Sequence, residues 1–111
     1  MLTPSQLLES NKIGAFTLAR KKSKRLFSLR MPDDAMIDAG INDNDLLIAN
    51  PSSRPVDGSL VAVMIDNHLT VRRYFNLGQH ICLAPDNVNY PAIELINQDE
   101  LPICGVIVEM V

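Results

Sequence analysis

The stretch Leu26-Phe27-Ser28-Leu29-Arg30-Met31-Pro32-Asp33-Asp34-Ala35-Met36-Ile37 decides how the chain reads. Phe27, Leu29 and Met31 alternate with Ser28 and Arg30, the two-residue period of a half-buried strand. Pro32 ends that strand, and Asp33 to Gly40 is too short and too polar for more than a helical turn. A second stretch, Thr70-Val71-Arg72-Arg73, completes the frame, with Arg72 lying 37 positions after Ala35.

Outward from this centre the chain is a succession of short apolar runs separated by turn chemistry. Gly40-Ile41-Asn42-Asp43-Asn44-Asp45 leads into the run Leu46-Leu47-Ile48-Ala49, and Asn50 to Gly58, with Pro51, Pro55 and Asp57-Gly58, is a further connection. Ser59 to Ile65 is rich in β-formers, Asp66-Asn67 is a two-residue hairpin turn, and His68 to Phe75 returns. On the returning strand Leu69, Val71 and Phe75 share one face and His68, Thr70, Arg72 and Tyr74 the other, so Arg72 is expected to project away from the more apolar side. Asn76-Leu77-Gly78 turns the chain, His80 to Leu83 is a short strand, Pro85 to Pro91 a loop, and Ile93 to Ile96 and Ile103 to Met110 are closing strands. Towards the N-terminus, Thr3-Pro4-Ser5-Gln6 is a helix start with a capping box, predicting a short helix to about Ser10, and Ala15 to Ala19 reads ambiguously as a short strand. The expectation is a mainly β domain of seven or eight short strands in a coiled, barrel-like sheet with a short N-terminal helix.

At 111 residues the chain is one domain, able to bury roughly two thirds of its unfolded surface without disulfides. Residues 1–25 read as a helix and basic connecting segment, and 26–111 as the folded body. No run reaches the ~20 apolar residues of a membrane helix, and no basic segment followed by an apolar core marks a secretory signal. The expected location is cytoplasmic if Met1 is the natural start, with no membrane partner. Cys82 and Cys104 each sit within an apolar run, and His68 and His80 are isolated, so neither a cofactor nor a metal is expected. The net charge is −3, but residues 1–31 hold seven cations against Glu9, a net of +6, leaving −9 for the rest. Arg20, Lys21, Lys22, Lys24 and Arg25 are a candidate nucleic-acid or partner contact, or a solvated linker, since no aromatic or glycine interleaves them.

The order of these features resembles the C-terminal domain of the LexA/UmuD-type self-cleaving serine peptidases, a family that includes many phage repressors. Phe27-Ser28-Leu29-Arg30-Met31 resembles the family's strand before the nucleophile, and Asp33-Asp34-Ala35-Met36 takes the place of its Gly-x-Ser-Met. Gly40-Ile41-Asn42-Asp43-Asn44-Asp45-Leu46-Leu47-Ile48 resembles its Gly-Ile-x-x-Gly-Asp-Leu-Leu-Ile. Pro55-Val56-Asp57-Gly58-Ser59-Leu60-Val61, Thr70-Val71-Arg72-Arg73, Leu83-Ala84-Pro85-Asp86-Asn87-Val88-Asn89-Tyr90 and Gly105-Val106-Ile107 follow in register. Each piece is weak alone; the set in order is specific, and covers about Leu26 to Val108. The resemblance implies a signal-peptidase-like, β-clip architecture and a Ser-Lys dyad that cleaves a peptide bond in the protein's own N-terminal region.

Such a dyad needs a hydroxyl nucleophile and a lysine that can act neutral. Ala35 stands at the nucleophile position and Arg72 at the base position, and Asp33 replaces the motif's glycine. Alanine has no heteroatom, and a guanidinium stays protonated at physiological pH. The expectation is a pseudo-peptidase with no functional catalytic residue. The change at 33, which a deliberate inactivation would not need, argues for natural loss over an engineered Ser-to-Ala trap. The family's scissile Ala-Gly or Cys-Gly pair would fall at or before Met1; Ala39-Gly40 and Cys104-Gly105 lie in the wrong places to serve. An arginine in a buried site needs a partner, for which Asp33 and Asp34 are the candidates, unless its head reaches water.

The resemblance leaves three functions open. The first is the dimerisation and regulatory domain of a repressor-like transcriptional regulator, a homodimer paired through β-strands that meets DNA only through an upstream helix-turn-helix domain absent from this chain. The second is a UmuD-like accessory subunit whose partner is a translesion polymerase or other regulatory protein. The third is a peptidase acting through unfamiliar residues; Ser28, Ser53 and Ser59 are available, but none stands beside a lysine in a recognisable spacing.

Overall fold

The computed structural model describes residues 25–96 and 101–111. The expected helix at Thr3–Ser10, the ambiguous stretch at 15–19 and the basic residues Arg20 to Lys24 lie outside the described residues. The described chain forms seven strands: β1 (Phe27–Arg30), β2 (Leu46–Asn50), β3 (Leu60–Ile65), β4 (His68–Asn76), β5 (His80–Ala84), β6 (Ile93–Ile96) and β7 (Ile103–Met110). They make one antiparallel sheet in the order β1-β2-β7-β3-β4-β5-β6, with β1 and β6 at its two edges. The last strand lies between β2 and β3, joining the two halves of the sheet.

The turns follow from residue chemistry. Asp66 and Asn67 both take positive φ, 50° and 66°, the two left-handed positions of a type I′ turn, whose twist matches the β3–β4 hairpin. Asn44 (φ 74°) makes a similar bend before β2, and the backbones of Met31 and Asn44–Asp45 clasp each other through Met31 N–H to the Asp45 carbonyl (2.8 Å) and Asn44 N–H to the Met31 carbonyl (2.7 Å). β1 keeps its predicted alternation, with Leu29 buried and Ser28 and Arg30 exposed.

Two register shifts bend the sheet where it meets β7, one between Ile48 and Ala49 and one between Ala62 and Val63. Near them Gly105 is buried against the neighbouring chain: a Cβ there would stand 3.1 Å from the Asn50 carbonyl carbon and oxygen and 3.2 Å from Pro51 N. Only a residue without a side chain lets the strands approach this closely.

The coiled sheet encloses two apolar clusters. Leu29, Met31, Ala35, Met36, Ile41, Leu47, Ala49, Ala62 and Val71 form the first; Val61, Val63, Tyr74, Ile81 and Leu83 form the second. The β3–β4 hairpin contributes to both, so Val61, Ala62 and Val63 are consecutive and all buried. Arg72 leaves β4 on the side away from Leu69 and Val71, as the alternation predicts, and that side is buried too, since Thr70 and Tyr74 share it.

Candidate functional site

The site is the meeting of three segments: the loop after β1, the strand β4, and the loop between β5 and β6. Pro32 ends β1, and the chain then folds into a compact turn whose only helical piece is a 3-10 turn at Ile37–Ala39, closed by Gly40 at φ 85°. Ala35 and Met36 are fully buried at its base. The turn is held from inside and outside. Asp34 carbonyl accepts from Ile37 N–H (3.1 Å) and from the Asn87 side-chain amide (2.9 Å), Ala35 carbonyl accepts from Asp86 N–H (2.9 Å), and Asp38 N–H donates to the Asp86 carbonyl (2.9 Å). Tyr90 hydroxyl donates to Asp34 Oδ1 at 2.8 Å. That carboxylate neighbour pushes the Tyr90 phenol above its ordinary range, because ionisation would lose the bond and set two negative charges together.

Arg72, 5% exposed, lies at the centre. Its Nη1 donates to Thr70 Oγ1 (3.2 Å) and to the Val71 carbonyl (2.8 Å), its guanidinium carbon sits 5.6 Å from the centre of the Tyr90 ring, and its Nε has no partner. Burial lowers its pKa, with Asp33 and then Tyr90 opposing the shift. Arginine nonetheless remains charged at any physiological pH.

Asp33 and Asp34, the expected partners of Arg72, do not pair with it directly. Thr70 stands between: its hydroxyl donates to Asp33 Oδ2 at 3.2 Å while accepting from Arg72. Asp33 Oδ1 in turn accepts the Ala35 backbone N–H at 3.0 Å, and Asp34 is turned to Tyr90. The correction has a simple origin. Thr70 and Arg72 project from the same side of β4 two residues apart, so the hydroxyl reaches the guanidinium before a carboxylate from the facing loop can. The arginine is nonetheless almost wholly buried, 5% exposed, where it borders the space between Asp33 and the hairpin end. The ion pair in this neighbourhood belongs to the next residue: Arg73 Nη2 lies 2.9 Å from Asp86 Oδ2, and its Nη1 donates to the Gly58 carbonyl at 2.8 Å.

Sequence reasoning quoted Thr70, Asp86, Asn87 and Tyr90 without giving them a task. For Thr70 the strand alternation that places it beside Arg72 was a usable signal. For Asn87 and Tyr90, which reach back more than fifty residues to Asp34, there was none. Of the basic run only Arg25 is described, and it is exposed. Cys82 and Cys104 are free and half-buried, in β5 and β7, and burial followed by Glu94 raises the Cys82 thiol. A cavity of about 280 Å³ opens beside Arg72, between Asp33 and the hairpin end at Asp66 and His68.

Chemically, position 35 offers a methyl group and a backbone amide, and position 72 offers only donors. The Peptidase S24-like family model matches residues 4–108 of the chain. The chain belongs to the peptidase S24-like family. Among curated proteins it is similar to the LexA repressor of Clostridium novyi, 39% identical over 75% of this chain and 40% of the relative, and to that of Caldicellulosiruptor saccharolyticus, 38% identical over 77% and 41%. A LexA repressor of Oleidesulfovibrio alaskensis matches at 35% identity over 96% of this chain and 48% of its own length. The chain thus spans less than half the length of these relatives.

Proposed function

We propose that this chain is the regulatory and dimerisation domain of a repressor-like transcriptional regulator, a peptidase scaffold that does not cleave itself. The observation that carries the reading is the pair at the centre. Residue 35 is an alanine with no exposed surface, and residue 72 is a buried guanidinium engaged as a donor to Thr70 and Val71. Acyl transfer by a Ser-Lys dyad requires an oxygen that can bond to the carbonyl carbon and a lone pair that can take its proton. An alanine methyl supplies neither, and a protonated guanidinium has no lone pair to offer.

Losing cleavage leaves pairing intact. Apolar surface for it is present at the end of β7, where Val108 and Met110 are about half exposed, with Val111 beyond. The names of the similar proteins, all repressors, favour this reading over a polymerase-accessory subunit. In this reading DNA is met through a separate helix-turn-helix domain, two of which a symmetric dimer presents to paired half-sites.

The test uses the unaltered chain. Incubated at alkaline pH with a peptide spanning an Ala-Gly bond and followed by mass spectrometry, it is expected to leave the peptide whole, and in sedimentation equilibrium at micromolar concentration to run as a dimer. Cleavage would refute the inactive centre; a strict monomer would refute the pairing.

A further inference from the structure

We propose that Asp33 is a third block on peptidase chemistry, independent of Ala35 and Arg72: its carboxylate fills, from within the chain, the anion site that an acyl-transfer centre keeps open for the oxyanion. The inference rests on position 35 being the nucleophile's place. When a hydroxyl oxygen attacks a peptide carbonyl, the C–O bond forms, the π-electron pair moves to the carbonyl oxygen, and the hydroxyl proton passes to the base. The new negative charge then needs preorganised donors, of which the nucleophile's own backbone N–H is a recurrent one.

Here that N–H is taken. Ala35 N–H donates to Asp33 Oδ1 at 3.0 Å, and the peptide plane is fixed from its other end, where Asp34 carbonyl accepts from Ile37 N–H and the Asn87 amide. Taken alone, a carboxylate accepting the amide two residues on is a common local turn. What sets this one apart is its second set of contacts. The same carboxylate accepts the hydroxyl of Thr70, 37 residues further along, and Thr70 is held by the buried Arg72. A backbone amide, a hydroxyl and the field of a guanidinium converge on one negative group. Arg72 is otherwise an under-answered cation, with Nε unpartnered and Asp33 the foremost charge opposing its desolvation. The site therefore has the donors of an anion site and already contains its anion. The glycine that the family motif carries at this place has no side chain to put there.

Two arms separate this proposal from the reading beneath it. In the first, Ala35→Ser/Arg72→Lys is compared with Asp33→Gly/Ala35→Ser/Arg72→Lys on the Ala-Gly peptide. Loss of one oxyanion donor costs roughly 100-fold or more in rate, so the triple variant is expected to cleave at least about 100-fold faster than the double. Equal cleavage by both overturns the role of Asp33 while upholding position 35 as the nucleophile's place. Cleavage by neither counts against that placement, and the anion site is then judged by the second arm alone. There, the ¹⁵N-labelled full chain carrying Asp33→Gly is titrated with sodium acetate against sodium chloride at matched ionic strength. The expected result is a saturable shift of the Ala35 amide resonance that weakens when Arg72→Gln is added. Should Asp33→Gly not fold, the near-isosteric Asp33→Asn serves: removing the charge from the acceptor is expected to move the Ala35 amide proton upfield. An Ala35 amide that responds to acetate no more than the amide of the exposed Ser52, or that is unmoved by Asp33→Asn, overturns the proposal.

Discussion

Replacing Thr70 by valine tests whether one hydroxyl carries the charge traffic at the centre. The two side chains are nearly the same shape and both suit a strand, so the change removes little but the oxygen. Thr70 is 2% exposed, and in the variant the second valine methyl occupies the oxygen's place. Two bonds are lost, Arg72 Nη1 to Oγ1 and Oγ1 to Asp33 Oδ2, each at 3.2 Å and each to an ionised group. Such bonds contribute about 1.5–3 kcal/mol when short. At this length the Arg72 bond belongs near the lower bound, and the Asp33 bond lower still, because that carboxylate is half-buried and keeps access to water. Together they predict a destabilisation of about 2–3 kcal/mol, or roughly 10 °C in Tm for a domain of this size. Thr70→Ser, which keeps the oxygen and loses one methyl, should cost only about 1 kcal/mol. Urea unfolding of both variants, with a double-mutant cycle against Arg72→Met, gives the measurement. On the methionine background Thr70→Val should cost about half as much, since only the Asp33 bond remains to be lost. A Thr70→Val variant as stable as the parent, or more stable than Thr70→Ser, would refute the relay.

Three further outcomes are expected. Gly105→Ala drives a methyl against the backbone of Asn50 and Pro51, which cannot rotate away, and should cost about 1–3 kcal/mol in chemical denaturation. Asn67→Gly relieves a left-handed φ of 66° in the hairpin turn and should stabilise by about 0.5 kcal/mol, whereas Asn67→Val should destabilise, both read from Tm shifts. Tyr90 binds its proton more tightly folded than unfolded, so its bond to Asp34 contributes stability that is fully present below the ordinary phenol pKa of about 10 and is lost as pH rises through the higher folded value. Absorbance at 295 nm should show Tyr90 ionising above that range, and Tyr90→Phe should flatten the alkaline fall in stability; a phenol titrating at its ordinary value contradicts the Asp34 bond.

Much of the architecture was legible because strands and turns are written in short-range chemistry. The alternation of Phe27, Leu29 and Met31, the stop at Pro32 and the Asp66-Asn67 turn each act over a few residues, and the observed elements follow them. Residues 33, 35 and 72 are likewise singled out by the resemblance to a self-cleaving peptidase, from their identities alone. Tertiary structure decided how those residues meet. Alternation tells which side of β4 Arg72 leaves from, but whether that side faces water depends on strands and loops far away in sequence, and here it is buried, with the Tyr90 ring beside the guanidinium. A list of charges pairs an arginine with the nearest carboxylate in the motif; space puts a threonine hydroxyl between them and turns Asp34 to a tyrosine 56 residues on. Hydrogen bonds depend on tenths of an ångström between groups whose approach only the folded sheet sets, and no local pattern in the sequence encodes that separation.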